Sequence, residues 1–163
     1  MVAGYEQRST YGAPERCVKG GPVPRAMIWV HDPGRGGVPV PPAVRTRTDQ
    51  RLQRYAAEHL AGRYTRLDVR FRGALCYIDA YTEPEPPAPN WPPPDWHETR
   101  EEMIERLRAT PLHLCRLRYF GDEDRWGFAF YVYSSMRYDL AMLPSGESLG
   151  SPEDALQTAA LYL

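Results

Sequence analysis

The sequence predicts an α+β domain, a mostly antiparallel sheet of about five strands with two or three helices packed on one face. Three observations carry that expectation. Apolar and polar residues alternate in short runs over 65–71 and again within 112–143. The breaks between those runs are three or four residues, too short for the crossovers that parallel strands need. Two longer segments instead repeat apolar residues at helical spacing. With 42% hydrophobic and 12% aromatic residues the chain can supply a core. No window approaches 18 consecutive apolar residues, so no membrane partner is expected.

Residues 1–25 lack periodicity and are rich in Gly, Pro and polar side chains, which predicts a flexible tail and leaves 26–163 as a single domain. The apolar run 26–31 reads as a strand, and the Gly-rich stretch to Gly37 as a turn. Pro41 and Pro42 suit a first helical turn. Val44, Thr48, Leu52, Tyr55, Ala56 and His59 then recur at i+3/i+4 spacing, and Gly62 can end the run, so a helix is expected over 42–61. Residues 65–71 and 75–81, split by Gly73-Ala74, read as a hairpin.

Residues 83–96 hold seven prolines in 14, which excludes a helix or an inner strand and predicts extended polyproline II backbone. Trp91 and Trp96 are expected to be buried and to pin this Pro/Trp-rich loop across the domain, since two exposed indoles leave an apolar patch in water. Asp95-x-x-Glu98 has the form of a capping box and opens a helix to about Ala109, ended by Thr110-Pro111. Strands follow over 112–120, 125–133 and 137–143. Ser151-Pro152-Glu153-Asp154 then combines an N-cap, a proline at N1 and acids in the first turn, and starts a C-terminal helix.

Alternation sorts the side chains onto two faces. Leu67, Val69, Phe71, Cys76, Ile78, Cys115, Leu117, Trp126, Phe128, Phe130 and Leu140 form the expected core face. The opposite face collects Arg66, Asp68, Arg70, Arg72, Tyr77, Asp79, Tyr81, Arg116, Arg118, Tyr131, Tyr133, Arg137 and Asp139. Cross-strand ion pairs and Arg–aromatic stacking can stabilise such a surface without a ligand. The same residue types serve a surface that binds single strands, with Arg for phosphates and Tyr for bases.

The formal net charge of −1 gives no overall field that gathers nucleic acid or anionic lipid. The charges are nonetheless blocked. Eight arginines face three acids over 45–72, eight acids face Arg100 alone over 79–105, and 106–118 is basic again. These blocks are expected to face and neutralise one another. Three cysteines without a CxxC and a start without an apolar signal region point to a reduced, cytoplasmic setting. Cys76 and Cys115 read as small hydrophobes. His113 and Cys115, both odd-numbered, are expected on one strand face, but no further ligands join them, so neither metal nor cofactor is expected.

The favoured reading is a small soluble binding or accessory domain. Its contact surface is either the Pro/Trp loop or the sheet face made by Arg66, Arg70, Arg72, Tyr77, Tyr81, Arg116, Arg118, Tyr131 and Tyr133. A protein partner or self-association is favoured, with nucleic acid as an alternative. The runner-up reading is a small enzyme acting on a phosphate-bearing or charged substrate, with Asp68 and Asp79 as its acid–base candidates. An open face or a face covered by 83–96 discriminates these readings.

Overall fold

The computed structural model describes residues 33–91, 93 and 95–163; the expected tail over 1–25 and the strand over 26–31 lie outside them. Helix α1 (Pro42–His59) begins at a proline pair and buries Val44, Thr48, Leu52 and Ala56, the i+4 stripe of its sequence. Strands β1 (Arg66–Arg72) and β2 (Leu75–Tyr81) form the hairpin, turning through Gly73 at φ +59°. Helix α2 (Arg100–Ala109) leads to β3 (Leu112–Tyr119), β4 (Trp126–Val132) and β5 (Arg137–Leu140). A two-residue strand β6 (Leu149–Gly150) precedes helix α3 (Pro152–Ala159), whose Ser151 caps the Asp154 amide.

The sheet is an antiparallel meander in the order β1-β2-β3-β4-β5, with β6 beside the first residues of β4. Short connections make sequential neighbours spatial neighbours, as the loop lengths require. Helices α1 and α3 cover one face. Leu52 and Ala56 from α1 and Ala155, Leu156 and Ala159 from α3 join Ile78, Leu117, Trp126 and Phe128 in one buried cluster. Each fully buried Leu or Phe there contributes about 1.5–3 kcal/mol. Both Cys76 and Cys115 are buried free thiols whose ionisation burial pushes up, consistent with a packing role.

The segment before α1 laces two elements together. Val38 N–H donates to Tyr119 O at 3.0 Å and Val40 N–H to Gly73 O at 2.9 Å. Gly37 sits at φ +92°, and a Cβ there would lie 2.7 Å from the Tyr119 carbonyl oxygen, so only glycine fits.

Several expectations are corrected. The capping box is Thr99/Glu102, four residues later than the Asp95/Glu98 match: Thr99 Oγ1 accepts from Glu102 N–H at 3.2 Å and Glu102 Oε2 from Thr99 N–H at 2.8 Å. Trp91 and Trp96 are not buried; they remain 42% and 44% exposed and lie against each other at 5.4 Å. Strand β5 is shorter than expected, and its faces are inverted. Val132 pairs with Arg137 and Tyr131 with Tyr138, so the loop is Tyr133–Met136, one residue longer than assumed, with Met136 at φ +52°. Tyr138 and Leu140 therefore join the polar face, while Arg137 and Asp139 pair with each other at 2.7 Å on the Phe130 side. Finally, a bulge between Ile78 and Asp79 places His113 opposite Asp79 but Cys115 opposite Ile78, so the two do not share a face.

The charge blocks also neutralise differently. Arg47 and Arg51 reach Glu123, Asp124 and Glu153, outside the acidic block, whose Glu83 and Glu98 pair instead with Arg108 and Arg106. Of the pairs between 45–72 and 79–105 among the described residues, Arg70–Asp79 alone is formed.

Candidate functional site

On the sheet face opposite α1 and α3, register brings Arg70 beside Tyr77, Tyr77 beside Arg116, Asp68 beside Asp79 and Asp79 beside His113. Asp79 is 2% exposed, a carboxylate at the floor of the face. Its Oδ2 accepts from Arg70 Nη2, and its Oδ1 accepts from His113 Nδ1 at 2.7 Å. A buried carboxylate needs such partners to remain charged. The bond to Asp79, with its charge, raises the Arg70 guanidinium above its ordinary value.

Around this pair stand the tyrosines. His113 packs on Tyr131 at 4.7 Å, Tyr131 contacts Tyr138 at 4.9 Å and Tyr133 at 4.8 Å, and Tyr77 meets Tyr138 edge-on at 5.5 Å. Tyr133 Oη accepts from the His113 amide at 2.8 Å. Arg116 lies over the Tyr138 ring at 5.3 Å. Burial first, and then the negative charge of Asp79, pushes the Tyr138 hydroxyl well up, so it stays a protonated donor at neutral pH. Burial likewise raises Tyr133.

These side chains surround a shallow cavity of about 560 Å³ lined by Arg70, Phe71, Arg72, Tyr77, His113, Tyr131 and Tyr138. None of its described lining residues comes from 83–96, so the described residues of the Pro/Trp loop leave this part of the face uncovered. Among the described residues no carboxylate pairs with Arg66, Arg72 or Arg116. Five arginines against Asp68 and Asp79 give the face a local excess of positive charge on a chain whose net charge is −1.

The remaining sequence candidates lie at the two ends of the face. Arg66 stacks over Tyr81 at 3.8 Å, away from the cavity and near Arg108. Arg118 donates through Nη1 to Gly36 O at 2.7 Å and serves the lacing segment. Asp68 is half-buried opposite Asp79 and does not line the cavity. Two central residues, His113 and Tyr138, were missed by alternation: the bulge and the four-residue loop each shift the count by one. The exposed Trp pair borders a separate hollow of about 390 Å³ with Pro89, His97 and Arg100.

A larger cavity of about 690 Å³ lies between α3 and β6, lined by Leu143, Pro144, Leu149 and Leu161. Its acids include Asp154, which accepts from the Ser151 hydroxyl at 2.6 Å in the α3 cap. It lacks the convergent cations and rings of the sheet face. Among the described residues no three of His, Cys, Asp and Glu gather as metal ligands, and no helix is long and apolar enough to cross a membrane. No family model, curated protein or solved structure matches this chain.

Proposed function

We propose that this chain is a binding domain whose contact surface is the open Arg/Tyr/His face of the sheet, and that its ligand is a nucleotide unit, free or within a single strand. The observation that carries this reading is the cavity itself. Its volume falls within the roughly 300–1,000 Å³ of ligand sites, and it joins aromatic rings to arginines. Arg72 and Arg116 have no carboxylate partner among the described residues, which suits a phosphate more than an internal network. Tyrosine and histidine rings beside them suit a base. The sequence favoured a protein partner, and these arginines shift the preference to phosphate.

The test is titration of a fluorescently labelled single strand by anisotropy, alongside 5′-AMP by calorimetry. Strand affinity should fall with salt at a slope of roughly −0.7 per phosphate contacted, near −2 if three are engaged. Arg72→Ala should weaken binding and lower that slope by about one contact while the thermal midpoint holds, because exposed side chains carry little stability. Binding of 5′-AMP alone would assign the pocket to free nucleotides. Absence of binding by both ligands at low salt would overturn the reading.

A further inference from the structure

Resting on that reading, we propose that the same pocket cleaves the strand it binds when that strand is RNA, with His113 as the general base of a transesterification at phosphorus. Asp79 is buried and acts only as an acceptor when charged, so its Oδ1 accepts a hydrogen bond from His113 Nδ1–H at 2.7 Å. That bond leaves the lone pair of the neutral ring on Nε2. Among the described residues Nε2 has no hydrogen-bond partner, and the ring lines the cavity. The ring is held by Asp79 and by a tilted contact with the Tyr131 ring, and the Tyr133 hydroxyl accepts from the backbone amide of His113. A histidine fixed in one tautomer by a buried carboxylate, with its second nitrogen open, is arranged to accept a proton.

Arg70 and Arg72 line the same cavity and stand where charge would build on the phosphoryl oxygens. In the step, the ribose 2′-hydroxyl proton passes to His113 Nε2 as the O2′–P bond forms. The P–O5′ bond breaks, the departing O5′ takes a proton from water, and the imidazolium returns its own to water. The products are a 2′,3′-cyclic phosphate and a 5′-hydroxyl, and the balance needs no oxidant, reductant or metal ion. Asp79 acts through His113 and is a positioning residue.

The experiment uses the full chain, a 5′-labelled oligoribonucleotide of mixed sequence with EDTA present, and the same sequence as DNA. RNA fragments ending in cyclic phosphate are expected, with the DNA strand bound but intact. His113→Ala should lower cleavage about 100-fold or more, measured at RNA concentrations that saturate the variant. Asp79→Asn should lower kcat with KM unchanged, and His113→Ala carries the test if that variant fails to fold. RNA that binds and stays intact overturns the cleavage and leaves the binding reading standing. Cleavage that survives in His113→Ala, or fragments ending in a 2′,3′-diol, overturns the assigned step. No binding of either strand overturns the cleavage, and no binding of 5′-AMP either overturns both readings.

Discussion

Thr48 sits on the buried side of α1, fully shielded from water, and its hydroxyl has no hydrogen-bond partner among the described residues. The other helical threonines behave differently: Thr46 and Thr158 each bond the carbonyl four residues back. A buried hydroxyl without a partner costs about 1–3 kcal/mol, and valine has nearly the same shape. Thr48→Val should therefore stabilise the fold by roughly 1 kcal/mol, read as a higher urea midpoint at unchanged slope; a lowered midpoint would contradict the account. At this scale the sequence was legible where a residue keeps its strand's alternation, as with Asp79, Arg70 and Tyr77. It was illegible at His113 and Tyr138, because a bulge and a turn with a left-handed Met136 each reverse the parity of the residues beyond them. Neither device has a marker residue such as glycine at its key position.

Helix α2 is the element held most by surface charge. Of its residues Met103 alone is buried, while Arg108 bonds Glu83 of the Pro-rich loop at 2.5 Å and Arg106 bonds Glu98, just before the helix, at 2.8 Å. Hydrogen bonding to the arginines, and then their charge, holds both carboxyls below their ordinary range. Folded values below unfolded ones mean that these pairs support the structure above about pH 4.3, the ordinary glutamate value, and lose that contribution as pH falls through the depressed values. Because the pairs are exposed, the contribution is small and sensitive to salt. Amide-exchange protection in α2 should fall between pH 5 and pH 3 while β2 and β3 keep theirs, and equal protection throughout would refute this. Helices α1 and α3 were legible from prolines, caps and periodicity. The start of α2 was not, because two overlapping capping patterns compete, and β6 is too short to carry a pattern of its own.

Across the molecule, local contacts between consecutive strands set the architecture, which is why short breaks and alternating runs were enough to anticipate an α+β fold with an antiparallel sheet. The positive face is a product of that order: β1 and β3 flank β2, so arginines from both converge on its tyrosines. Among the described residues β1 ends the sheet, which has a separate consequence, for solubility. An end strand exposes backbone donors and acceptors that can pair with another copy, and charged side chains there discourage that addition. Arg66 and Arg72 stand on this strand, unpaired with any carboxylate among the described residues. Replacing both with threonine should raise light scattering and shift gel-filtration elution with increasing concentration; an unchanged profile would show that the edge is guarded by other means. Losses of the proposed binding at Arg72 are therefore best read at concentrations where scattering is flat.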